Sequence, residues 1–133
     1  MITPNINEII RTSIVIVHKG RYAYVKTDEV EIGDHFLITK DRDETTVITE
    51  EKNLQDMEYD KDVKWFKLVE IRVSAPFVAK GFLAKITKTI ADKDLNVLVV
   101  STFSKDYVLV REETWETAIK ALEEVGFPIE HRK

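Results

Sequence analysis

The segment Val99–Val110, VVSTFSKDYVLV, decides how this chain is read. Two apolar runs, Val99-Val100 and Val108-Leu109-Val110, flank Ser101 to Tyr107, the pattern of a β-hairpin. A hairpin tip needs little beyond Gly, Asn or Asp, yet this one gathers a phenyl ring, hydroxyls and a carboxylate. Upstream, Ala79, Phe82-Leu83, Ile86 and Ile90 recur at the spacing of an amphipathic helix, with Lys80, Lys85, Lys88 and Asp92 opposite. Downstream, Trp115, Ala118-Ile119, Leu122 and Val125 form a second such helix, with Thr114 at its N-cap and Gly126 just past its end. Further out, Lys64–Val73 (KWFKLVEIRV) alternates like a strand with one buried face, and Phe127-Pro128-Ile129 makes a short final strand. The order is β-α-β-β-α-β, an α+β, ferredoxin-like arrangement with an antiparallel sheet and two helices on one face. The other face then needs a cover, from the N-terminal strands or from another subunit.

The N-terminal half predicts mostly strands. Ile14–Val17 and Tyr22–Val25 surround a turn at Gly20; Phe36–Ile38 and Thr46–Thr49 surround a tip at Asp41-Arg42-Asp43; Asn53–Asp62 is an acidic loop. FLITKDRDETTVITEE (36–51) echoes LVVSTFSKDYVLVREE (98–113) at an offset of 62. The first half therefore reads as a degenerate copy of the second, its first helix shortened to Glu31–His35. The expected division is a degenerate lobe over 1–63 and a ferredoxin-like domain over 64–133.

Composition excludes several function classes. The chain has 133 residues, 44% hydrophobic and 33% charged, which fits a folded globular protein. A net charge of -4, with basic residues scattered among acids, argues against nucleic acid as a partner. The absence of cysteine removes disulfides, thiol catalysis and thiolate metal sites. Residues 1–20 lack the basic stretch and long apolar core of a signal peptide, and no apolar run approaches the ~20 residues of a membrane helix. A cytoplasmic location is the expectation. His18, His35 and His131 sit in unrelated segments without ligand spacing, and no phosphate loop, nucleophile elbow or zinc-protease motif is present.

The segment Gly81–Phe127, GFLAKITKTIADKDLNVLVVSTFSKDYVLVREETWETAIKALEEVGF, resembles the ACT-domain family. The resemblance rests on Gly81-Phe82-Leu83, Asn96-Val97, Ser101-Thr102-Phe103, Asp106-Tyr107 and Leu109-Val110, with Asp43 to Ile48 matching an upstream half. It is nearest to tandem ACT-like prokaryotic proteins related to the ACT modules of the eukaryotic cytosolic arginine sensor. The resemblance implies a degenerate ACT-like lobe fused to an ACT module. It further implies a homodimer that binds an amino acid or similar metabolite at the seam between modules, without chemistry, cofactor or metal.

The expected ligand site follows from the residue types. Gly81, Phe82 and Leu83 open a helix, whose free backbone N–H groups suit a carboxylate, and Gly permits close approach. Asp106 suits the ammonium, Thr102 offers a hydroxyl, Phe103 an apolar wall, and Asn96 with Val97 an amide and a contact at the strand start. Plainer roles fit the same residues. Asp106 serves a hairpin turn, Ser101 and Thr102 a strand, Phe103 a core or a dimer contact, and Gly81 close packing. Where the arginine-sensing relatives carry a Glu, this chain has Ala79, which points to a different ligand. The alternative is a module of the same fold that serves assembly and binds nothing.

Overall fold

Residues 5–28, 33–74 and 81–132 are described by a computed structural model. Their elements run α1 (Ile6–Thr12), β1 (Ile14–Val17), β2 (Tyr22–Thr27), β3 (Leu37–Lys40), β4 (Thr45–Glu50), a 3-10 helix (Glu51–Asp56), β5 (Lys64–Arg72), α2 (Phe82–Ala91), β6 (Val97–Ser101), β7 (Asp106–Arg111), α3 (Trp115–Glu124) and β8 (Ile129–His131). The chain forms two compact units: residues up to Lys19 group with those from Lys67 onward, and Gly20–Phe66 form the other.

The larger unit contains the expected β5-α2-β6-β7-α3-β8 order, so the α+β, ferredoxin-like class is observed. It also contains two elements from the N-terminus. Strand β1 runs antiparallel to β5 (Ile14 opposite Arg72, Val17 opposite Val69) and parallel to β8 (Val15 opposite Ile129). The sheet therefore reads β6-β7-β5-β1-β8, with β1 lying between the strands that a bare ferredoxin-like sheet would pair. The expected lobe 1–63 thus contributes its first nineteen residues to the other unit.

Helix α1 was not expected, because seven residues are too short for a periodic signal. Its local signals are clear in retrospect. Asn5 caps the helix by accepting the Asn7 N–H at 2.7 Å, and Glu8 sits in the first turn, where a negative charge suits the helix dipole. Ile9 and Ile10 then join α2, α3 and one face of the sheet (Val15, Val17, Val69, Ile71, Val108, Val110) in the main core. Phe82 and Phe127 meet edge to face within it, their ring centroids 5.7 Å apart.

The opposite face of this sheet is not bare. Ile16, Leu68 and Leu109 point that way by strand alternation and are fully buried within the single chain. Strand β5 buries Phe66, Leu68, Val69, Glu70 and Ile71, so residues on both of its faces are buried and not those of one face alone.

The smaller unit pairs β3 with β4, β4 with β2, and β2 with the first residues of β5 (Tyr22 opposite Phe66). The order β3-β4-β2-β5 is that of a ferredoxin-like sheet, and a 3-10 helix stands where the second helix would. Residues 33–35 of the expected short helix are not helical, and 31–32 lie outside the described residues. The acidic loop begins later than expected, after Asp56. Ala23, Val25 and Val47 form a small core flanked by Leu54, Met57, Tyr59, Val63 and Trp65, and the Arg21 guanidinium stacks 3.7 Å from the Trp65 ring centre.

The two hairpins echo one another in geometry, at an offset of 61 rather than 62. The Asp41 N–H donates to the Glu44 carbonyl at 3.0 Å, and 61 residues on, the Thr102 N–H donates to the Lys105 carbonyl at 2.8 Å. A one-residue slip exchanges the faces of every side chain, so Thr45, not Glu44, is the counterpart of Asp106.

Candidate functional site

Helix α2 begins at Gly81, in the left-handed region at φ +77°, with no side chain capping the first turn. The Lys85 N–H donates to the Gly81 carbonyl at 2.9 Å. Phe82 is buried in the core and Leu83 is exposed. Gly81 is needed here for its backbone angle, since an added Cβ would meet nothing within 4 Å.

The hairpin of β6 and β7 closes at Ser101 opposite Asp106, leaving Thr102 to Lys105 as its tip. The Ser101 hydroxyl donates to Asp106 Oδ1 at 2.6 Å, and the Thr102 hydroxyl donates to the Lys105 carbonyl at 3.2 Å. Both polar side chains therefore stabilise the hairpin, though Asp106 does so through a neighbour's hydroxyl and not its own backbone. Phe103 is 93% exposed, so it belongs to no core.

Chain direction decides which of these residues share an end of the unit. Strand β5 leads into α2, which runs back along the sheet, and β6 then runs parallel to β5. Gly81, Phe82, Leu83, Thr102, Phe103 and Asp106 accordingly lie towards one end. Asn96 and Val97 lie at the other, because Val97 to Ser101 spans about 13 Å of extended chain. The eight predicted residues thus fall into two groups. Ala79, the position that differs from the arginine-sensing relatives, lies outside the described residues.

A second constellation was missed at the sequence level. Glu70 is only 3% exposed. His18 Nε2 lies 2.9 Å from its Oε1, Arg72 Nε 2.6 Å and Lys105 Nζ 3.7 Å from its Oε2. The ring of Tyr107 stands 6.4 Å from that of His18. Burial pushes the Glu70 carboxyl up, but the hydrogen bonds from Arg72 and His18 and the charges of Lys105 and Arg72 outweigh it and hold the carboxyl below its ordinary range. The sequence carries little signal for it, since alternation places Glu70 and Arg72 together on the more polar face of LVEIRV, where an exposed ion pair is expected.

Two cavities lie elsewhere. One of about 460 Å³ in the smaller unit is lined by Lys26, Thr27, Asp28, Glu58, Tyr59 and Asp60. A groove of about 290 Å³ between α2 and α3 is lined by Lys85, Lys88, Thr89, Asp92, Lys93, Ala121, Glu124 and Val125. Neither contains a predicted site residue. Among the described residues no cluster of His, Asp and Glu suits a metal ion, and no helix is long and apolar enough to cross a membrane.

Residues 63–124 match the profile of the ACT domain family. No curated protein matches the chain. Among solved structures, a Vibrio cholerae protein of unknown function is similar with a TM-score of 0.76 and 17% identity, over 90% of this chain and 94% of that one. An Agrobacterium tumefaciens protein gives 0.70 and 19%, over 91% and 94%. The regulatory subunit of aspartate kinase from Thermus thermophilus, in its ligand-free form, gives 0.60 and 12%, over 87% and 97%.

Proposed function

We propose that this chain is a non-enzymatic regulatory module that binds an amino acid or similar small metabolite. The observation that carries the reading is the ACT domain match over residues 63–124, which falls on the β5-α2-β6-β7-α3 framework. A regulatory subunit among the structures of similar fold supports it. The ligand's carboxylate would meet the uncapped start of α2 at Gly81, Phe82 and Leu83, with Thr102, Phe103 and Asp106 at the same end, partly across a subunit seam. Asn96 and Val97 would reach that ligand only from the second copy of a cytoplasmic homodimer. The smaller unit acts in this reading as a degenerate ACT-like lobe, and the whole chain as a member of the tandem branch.

Thermal unfolding of the full chain with a panel of free amino acids tests the proposal. A ligand that binds only the folded state at a hundred times its Kd adds about 2.7 kcal/mol of stability. The expected outcome is a raised Tm with one chemical class of amino acid, abolished by Asp106→Ala. No rise with any member of the panel would overturn it.

One observation favours assembly as a second reading. Phe103, Val99 and Leu83 are exposed apolar side chains, and the outer edge of β6 has no strand partner among the described residues. Sedimentation of the unliganded chain against Phe103→Asp distinguishes this reading, which requires the variant to dissociate.

A further inference from the structure

The face of the sheet turned away from the helices carries more positive charge at Glu70 than that carboxylate absorbs. Arg72 and Lys105 approach the same oxygen, Oε2, while His18 occupies Oε1. Two full cations sharing one carboxylate oxygen repel each other. The nearby acid Glu130, whose charge also reaches Arg72, is already paired with Arg132 at 3.2 Å. Asp106 does not help, since strand alternation turns it towards the helix face, where it accepts from Ser101. Arg72, Lys105 and Arg132 thus face Glu70 and Glu130, one positive charge in excess without counting His18.

The donors are also presented for use. Glu70 holds Arg72 through Nε, and the Arg72 side chain is 51% exposed, so the two terminal nitrogens of its guanidinium can make a forked contact. The Lys105 side chain is 38% exposed and that of His18 25%, while the carboxylate anchoring them is buried. A buried anchor that fixes long cationic side chains removes most of the entropy that binding would otherwise cost them.

We propose that Arg72 and Lys105, positioned by Glu70 with His18 beside them, bind the oxyanion of a small metabolite, a carboxylate or a phosphate group. Lys105 belongs to the hairpin tip, so an occupied site ties that tip to β5. This site lies on the opposite face from the start of α2 and does not rest on the amino-acid reading.

NMR titration of the full chain tests it, with sodium phosphate and sodium acetate in separate arms and sodium chloride holding ionic strength constant. The Arg72 side-chain Nε–H and the Lys105 backbone amide are followed. Saturable shifts at both groups are expected with at least one anion; the responding arm names the source, and a response to both means that any oxyanion suffices. Arg72→Gln and Lys105→Gln should each weaken binding by about tenfold or more, roughly the loss of one charge-assisted hydrogen bond. Lys105 lies at an exposed tip, so its variant keeps the fold. Linear, unsaturated shifts in both arms, or saturation unchanged in Lys105→Gln, would overturn the proposal.

Discussion

Residue identity matters most at Glu70. A carboxylate in this position is tolerated because Arg72, Lys105 and His18 converge on it. Its folded pKa lies below its ordinary value of 4.5, so its contribution is fully present above about that pH and is lost as pH falls through the folded value. Glu70→Gln should therefore destabilise the chain by about 1–3 kcal/mol near pH 7, a figure reduced because its partners are partly exposed. Urea unfolding at pH 7 and at pH 3 should show that difference shrinking on acidification; an equal difference at both would refute the ionic account. Gly81 is the other residue set by a backbone requirement. At φ +77° an alanine is strained, so Gly81→Ala should lower stability by about 1 kcal/mol although there is space for the methyl group. The sequence places Gly81 at the start of the helix for close approach or close packing, whereas the structure shows open space there and a positive φ as the reason for glycine. The roles of Glu70 and Lys105 were not, because they lie 35 residues apart and meet only through the pairing of β7 with β5.

Among the elements, α3 shows how far local sequence carries. Past Glu124, the Gly126 N–H donates to the Glu123 carbonyl at 3.0 Å and the Phe127 N–H to the Leu122 carbonyl at 3.2 Å, closing the helix with Gly126 at φ +114° as its sequence predicts. Its other end is less regular, since Thr114 stands at the N-cap position without a side-chain hydrogen bond. The final strand falls two residues later than its sequence implies, because the Pro128 carbonyl accepts the Val15 N–H and pairing with β1 begins there. Among the described residues strand β6 pairs with β7 alone, whereas β7 lies between β6 and β5. Hydrogen exchange should follow this order. The amides of Val97–Ser101 are expected to exchange well before those of Val108–Val110, and equal protection in solution would mean that another strand covers the edge.

For the whole molecule, the decisive feature is that the larger unit is discontinuous in sequence. Strand β1 is the partner of β8 and lies along β5, and α1 supplies Ile9 and Ile10 to the core. A chain of residues 64–133 alone, the span that local patterning marks as a domain, should therefore fail to unfold cooperatively in a thermal melt followed by circular dichroism. A sharp transition matching that of the full chain would refute this. Loss of Ile10 alone, as Ile10→Ala, would carry the ~2–5 kcal/mol typical of large-to-small core changes. By itself the sequence determined the β-α-β-β-α-β order, the hairpin, both long helices and the glycines at their ends, because each depends on periodicity and turn chemistry within a few residues. Only the tertiary structure decided that β1 enters the sheet between β5 and β8, that both faces of β5 are buried, and that Arg72, Lys105 and His18 gather on Glu70. Those features come from pairing residues tens of positions apart, and no local pattern encodes which distant strand will satisfy an open sheet edge.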